Sequence, residues 1–261
     1  MSDLQDALLA AVDRHPTLAI AVSGGVDSMT LAYLAHRFGK AQVRMVHAVS
    51  PAVPPAATAR VERHAGRHGW ALEVVRAGEF EDPAYRSNPV DRCYFCKASL
   101  YTRIRELTSG TIASGANLDD LGDYRPGLLA ARERSVVHPY VEAGIDKEAV
   151  RALAARHGLD DLAELPAQPC LASRVETGIA IDPDDLAFVD LVERELQAIL
   201  PPSGTVRCRI THRGAVVEVD ETLLAGDAEA AILGRAQALA ADQGRTIAGI
   251  RPYRRGSAFL R

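Results

Sequence analysis

The stretch A-V-S-G-G-V-D-S, Ala21 to Ser28, leaves the surrounding chain few ways to fold. The apolar run Leu18–Val22 has the length of a strand, and after the loop Met29, Leu31, Leu34, Ala35 and Phe38 recur at helical spacing. In a strand, loop and helix of this kind, the two glycines let the backbone turn tightly and approach an anion. The helix that follows points its first N–H groups and the positive end of its dipole at the same place. Such a loop is a phosphate cradle. No Gly-Lys-Ser/Thr follows, so it is not a Walker A loop, and its glycines do not have the G-x-G-x-x-G dinucleotide spacing. The plainer alternative is an ordinary turn in which Asp27 or Ser28 caps the helix. The helix is expected to stop at Gly39, and a strand-like run, Val43–Val49, begins at once, so the first 50 residues read as one βαβ unit.

Three segments end alike, in H-R-F-G, G-R-H-G and A-R-H-G. Basic residues in a last turn favour the negative end of the helix dipole, and a following glycine accepts the left-handed conformation. His36, His64, His68 and His157 therefore read as helix-end residues rather than metal ligands. Repeated helix ends of this kind indicate a repeated α/β architecture, not a solenoid. Pro166 and Pro169, with Gly178 and Pro183 beyond them, mark a boundary. After it come a helix near 184–200, a break at Pro201-Pro202, strands over 205–211 and 215–219, a helix near 228–242 and a last strand near Ile247. That order suggests a small α+β domain of roughly 80 residues. The expected division is 1–178 and 179–261.

At 261 residues and 48% apolar content the chain can bury a substantial core. It has no run of about 18 apolar residues, and its first residues carry acids where a secretory signal carries positive charge, so a cytoplasmic location off the membrane is expected. The net charge of −4 gives no general attraction to nucleic acid or an acidic membrane, although R-P-Y-R-R near the C-terminus is locally basic. Four cysteines are too few for a disulfide scaffold in a chain this long. Two of them, Cys93 and Cys96, form a Cys-x-x-Cys in N-P-V-D-R-C-Y-F-C-K. Half a zinc site, a redox dithiol, part of an iron–sulfur cluster or no function at all fit that spacing.

S-G-G-V-D-S after a first strand resembles the signature of the PP-loop ATP pyrophosphatases. That resemblance implies ATP bound in a doubly wound parallel-sheet α/β domain of the adenine nucleotide alpha hydrolase-like type, with AMP transferred to a carboxylate or carbonyl oxygen. Ser23, Gly24, Gly25, Val26, Asp27 and Ser28 would hold the pyrophosphate portion, with Asp27 near Mg²⁺. Two further stretches, A-S-G-A-N-L-D-D-L-G-D-Y-R-P-G-L (Ala113–Leu128) and Q-P-C-L-A-S-R (Gln168–Arg174), narrow the match. With the Cys-x-x-Cys they resemble the LarE family over nearly the whole chain. Members of that family are ATP-dependent sulfur transferases of nickel-pincer nucleotide cofactor biosynthesis. They adenylate a carboxylate of pyridinium-3,5-biscarboxylic acid mononucleotide and put sulfur in place of AMP. One version of the family sacrifices the sulfur of the P-C-L-x-S-R cysteine. In the other, three cysteines hold a [4Fe-4S] cluster that leaves one iron open to sulfide from a donor. Cys93, Cys96 and Cys170 stand at the three positions of the cluster type.

The same resemblance places Asp119, Asp120, Asp123 and Arg125 near the nucleotide, and Ser173 and Arg174 beside Cys170. It also assigns an R-x-R pair to the substrate phosphate, here Arg207 and Arg209, and implies a homo-oligomer, hexameric in relatives. Strand alternation puts these two arginines on one face and Val206, Cys208 and Ile210 on the other, so Cys208 reads as a core residue. Arg92 and Lys97 bracket the cysteine pair, where positive charge would favour thiolates. The chain departs from the family pattern in three places. It reads D-L-A-E-L-P before P-C-L where Trp-Asp-Lys-Pro is common, A-V-V-E-V after the arginine strand, and R-P-Y-R-R-G-S at its tail. Rival readings are a PP-loop tRNA thiolase, an NAD-synthetase-like amide ligase with structural cysteines, and a nucleotide-binding sensor without catalysis.

Overall fold

Four parallel strands, β1 (Thr17–Ala21), β2 (Gln42–Val49), β3 (Leu72–Arg76) and β4 (Thr111–Ala113), form a sheet in the order β3-β2-β1-β4. Ile20 of β1 lies in register with Met45 of β2 on one side and Ala113 of β4 on the other. The chain steps outward from β1 through β2 to β3, then comes back to the far side of β1 for β4. In open α/β sheets such a reversal leaves a crevice beyond the carboxyl ends of the two strands where it occurs, and ligands bind there. The structure, a computed structural model, describes residues 2–122, 124–201 and 204–254. Asp123, Pro202 and the tail residues Arg255, Gly256 and Ser257 lie outside the described residues.

The helices are α1 (Ser2–Val12), α2 (Val26–Phe38), α3 (Pro55–His68), α4 (Pro83–Arg86), α5 (Arg92–Leu107), α6 (Pro126–Glu133), α7 (Pro139–Glu142), α8 (Lys147–Arg156) and α9 (Asp160–Ala163). Leu18 and Ile20 of β1 share a core with Met29, Leu31 and Leu34 of α2 and with Val150 and Leu153 of α8. Ala19, on the opposite face, joins Val46, Val75 and Ile112 against Leu100 and Ile104 of α5. The sheet is therefore covered on both faces, which is why the central strand β1 is an apolar run rather than an alternating one. Each fully buried aliphatic side chain contributes on the order of 1.5–3 kcal/mol. The architecture is the doubly wound α/β fold expected from the sequence. Among the described residues no helix is long and apolar enough to cross a membrane.

The chain divides into two units, one made of residues up to 82 with 91–168 and the other of 83–90 with residues from 169 onward. The second unit holds α4, α10 (Pro183–Gln197), β5 (Val206–Thr211), β6 (Gly214–Val219), α11 (Gly226–Asp242) and β7 (Ile247–Pro252). Its sheet is mixed: β5 pairs antiparallel with β6 in a tight hairpin, and β6 pairs parallel with β7. Asp182 caps α10 through the Asp184 N–H at 2.8 Å, and the helix buries Leu186, Val189, Val192 and Leu196. The segment 83–90 is tied to this unit by Asn88, which is fully buried in the left-handed conformation at φ 54°. Its amide donates to the carbonyls of Glu176 and Ile179, both at 2.9 Å, and its own carbonyl accepts the Gly178 N–H at 3.0 Å.

The expected helix ends are only partly alike. Gly69 and Gly158 adopt the left-handed conformation, both at φ 67°, but Gly39 is extended at φ −75°. A β-carbon at Gly39 would lie 2.6 Å from the Ala35 carbonyl oxygen, so close approach rather than handedness demands glycine there. His64 is not an end residue. It sits a turn earlier, is buried, and pairs through Nε2 with Asp161 Oδ2 at 2.8 Å. Asp161 belongs to the stretch that departs from the family pattern.

Candidate functional site

The glycine loop leaves the carboxyl end of β1, at the reversal in strand order. Gly24 has φ 82°, and a β-carbon on it would sit 2.8 Å from the Ala57 carbonyl of α3, so this position excludes every other residue twice over. At Gly25, by contrast, a β-carbon would meet only Ser23 Oγ at 3.6 Å, so the protein leaves the space beside that backbone open. Gly25 is the N-cap of α2, and neither Asp27 nor Ser28 caps the helix. The first intrahelical bond is Met29 N–H to the Gly25 carbonyl at 3.1 Å, so the N–H groups of Gly25, Val26 and Asp27 precede any such acceptor. Ser28 instead braces the loop, accepting the Ser23 N–H at 3.0 Å and lying 3.2 Å from Ser23 Oγ. The chain leaving β4 closes the other side: a β-carbon on Gly115 would come within 2.7 Å of the Ser28 nitrogen.

Asp27 projects from the first turn of α2 into a polar network. One carboxylate oxygen accepts the Asn117 side-chain amide at 3.1 Å and the other pairs with the Lys147 ammonium. Tyr140 donates to the Asp27 main-chain carbonyl at 3.1 Å; burial, then the Asp27 charge, raise its pKa well above the usual value and keep it a donor. Asn117 forms a capping box with Asp120, whose carboxylate also pairs with Arg125 at 2.8 Å. Asp119 accepts the Lys147 N–H at 3.2 Å. The acidic stretch is thus partly used in local structure, and it holds Lys147 over Asp27. Lys147 is a site residue that the sequence reading missed. It follows a helix cap, Asp146, with nothing local to distinguish it from an exposed lysine.

Cys93 and Cys96 occupy the first turns of α5, one turn apart on a shared face; Cys93 is exposed and Cys96 half-buried. A redox dithiol also opens a helix, but here the short α4 and a turn precede the motif instead of a strand. The Lys97 ammonium lies 6.0 Å over the Tyr101 ring. Cys170 belongs to the second unit, exposed at the head of a 3-10 turn, Leu171–Arg174. Among the described residues no group of three or more His, Cys, Asp or Glu side chains is arranged to hold a metal ion. The donor chemistry itself, thiols that reach solvent, fits an iron–sulfur cluster.

In the second unit Arg174 is almost fully buried. It makes two bonds to the Glu193 carboxylate, at 3.0 and 2.9 Å, and donates to the Pro169 carbonyl at 2.8 Å and Ser173 Oγ at 3.0 Å. Arg209 is buried too, donating to Glu218 and to the Ser173 carbonyl, both at 2.8 Å. Arg207 is the more open of the strand pair, 5.9 Å from the Tyr253 ring and 3.9 Å from Glu193. Cys208 lies in the core as expected, and burial pushes its thiol pKa far up.

No protein-family model matches the chain. It is 38% identical over 184 residues to an uncharacterised protein of Synechocystis sp., a match covering 69% of this chain and 68% of that protein. It is 28% identical over 219 residues to the pyridinium-3,5-bisthiocarboxylic acid mononucleotide synthase of Lactiplantibacillus plantarum, covering 82% and 78% of the two chains. It is also 28% identical over 183 residues to the tRNA-cytidine(32) 2-sulfurtransferase of Syntrophotalea carbinolica, covering 61% and 68%.

Proposed function

Because the chain belongs to the LarE family of PP-loop proteins, we propose that it is a cytoplasmic, ATP-dependent sulfur transferase of nickel-pincer nucleotide cofactor biosynthesis. It adenylates a carboxylate of pyridinium-3,5-biscarboxylic acid mononucleotide, releases pyrophosphate, and replaces AMP with sulfur. The observation that carries this reading is the open row of N–H groups from Gly25 to Asp27 at the reversal of strand order. That row suits the phosphates of ATP, and Ser23, Gly24 and Ser28 fix its shape. Lys147, held by Asp27, adds positive charge at the same end of α2. Mg²⁺ reaches such sites largely through phosphate oxygens and needs only one or two carboxylates; Asp27 and Asp120 are the proposed pair, and Arg125 pairs with Asp120.

Cys93, Cys96 and Cys170 are the residues that would hold a [4Fe-4S] cluster, which when bound supplies a labile sulfide as the sulfur source. Arg207 takes the substrate phosphate, supported by Arg209, Ser173 and Arg174, and the active form is a homo-oligomer. The relative named as a tRNA sulfurtransferase favours a second reading, sulfur transfer to a tRNA base. The net charge of −4 favours the small nucleotide.

The test is anaerobic turnover with the mononucleotide, ATP, Mg²⁺ and sulfide, read as pyrophosphate release and thiocarboxylate mass. Gly25→Ala should keep the fold, since its β-carbon meets nothing closer than 3.6 Å, and should abolish pyrophosphate release. Undiminished release would remove ATP from this loop. Retention of bulk tRNA on a filter, with no turnover of the mononucleotide, would favour the second reading.

A further inference from the structure

Helix α3 lies against the glycine loop, and one of its side chains reaches the loop backbone. Arg60 is 8% exposed and donates from Nη1 to the Gly24 carbonyl at 2.8 Å. Among the described residues it makes no ion pair. Asp161, the carboxylate whose field reaches it, is engaged by His64 at 2.8 Å and Arg63 at 4.0 Å. A buried guanidinium without a counter-charge is costly, and a fold keeps one where an anion comes to it.

The surroundings hold the loop against this group. Ala57, on the same helix, fills the space beside Gly24. Thr58 Oγ1 lies 2.9 Å from His47 Nε2, and His47 Nδ1 lies 2.8 Å from the Val22 carbonyl. The Gly24 carbonyl and the Gly25 N–H are the two ends of one peptide group. A cation on the oxygen draws electron density through that group and makes the N–H a stronger donor, as in any polarised chain of hydrogen bonds.

We propose that Arg60 is a positioning residue of the anion site, fixing the Gly24–Gly25 peptide and strengthening its N–H toward phosphate through the peptide itself. The proposal rests on the loop being the phosphate site of the proposed function.

The test uses the full chain, inorganic pyrophosphate as the probe, and titration calorimetry at two salt concentrations. Arg60→Gln keeps a neutral donor for the Gly24 carbonyl and removes the charge; Arg60→Lys keeps the charge. Arg60→Gln should bind pyrophosphate about five- to tenfold more weakly, the difference between a charged and a neutral hydrogen bond, and Arg60→Lys should stay near wild type. Wild-type affinity in Arg60→Gln, or equal losses in both variants, would overturn the proposal, because shape rather than charge would then matter. If Gly25→Ala loses pyrophosphate while Arg60→Gln does not, only this inference fails. If the unaltered protein does not bind pyrophosphate, the phosphate reading of the loop fails and takes this inference with it.

Discussion

Glu218 shows how far single residues depend on partners that a linear reading cannot see. It is fully buried, and its carboxylate accepts from Arg209 on one oxygen and from Arg251 on the other, at 2.8–3.0 Å. Strand alternation correctly separated Cys208 from its two arginines, but it could not say that Arg209 would turn inward. The register puts Glu218 directly opposite Arg207, and Arg209 reaches it along the diagonal. Arg209→Ala leaves a buried carboxylate with one partner fewer and should cost about 3–5 kcal/mol. Cys208→Ala removes a small core group and should cost about 1 kcal/mol. Urea denaturation of the two variants checks this, and equal losses would mean that the Arg209 pair carries no special weight. Lys147 was hidden in the same way, since its contact with Asp27 spans 120 positions.

Elements were more legible, because each announces itself within a few residues. The loop between β1 and α2, the hairpin of β5 and β6, and the apolar stripes of α2 and α10 all follow from local periodicity and turn chemistry. Helix ends were legible as positions but not as conformations. After α3 the chain turns through a left-handed Gly69, whereas after α2 it runs extended through Gly39 toward β2. There Asp13 Oδ1 accepts the Lys40 N–H at 2.7 Å and the Ala41 N–H at 3.2 Å, which closes the space around Gly39. Gly158→Ala, with no neighbour within 4 Å, should therefore cost only the left-handed penalty of about 1–2 kcal/mol. Gly39→Ala must displace the Ala35 carbonyl or the Asp13 carboxylate and should cost about 2–3 kcal/mol. Thermal melts of both variants rank them, and the reverse order would show that this turn yields easily.

At the scale of the molecule, the sequence suggested a division after residue 178, while the chain itself groups 83–90 with everything from 169 onward. Composition marks prolines and turns, but not a short segment that belongs to a unit made later. A fragment beginning at 169 lacks Asn88 and with it the bonds to Glu176, Gly178 and Ile179, as well as the Ile181 N–H bond to Arg86 at 2.8 Å. It should not unfold cooperatively by circular dichroism, and adding a peptide spanning 83–90 should restore a transition. A sharp transition in the bare fragment would show the segment to be dispensable. The same threading sets an order of events at the ribosome. The segment around Asn88 emerges about 90 residues before Gly178, a wait of roughly 5–18 s at ordinary rates of synthesis, during which its bonds to residues 176–181 cannot form. The short stretch just ahead of α5 is therefore fastened only after the chain has been made as far as Ile181.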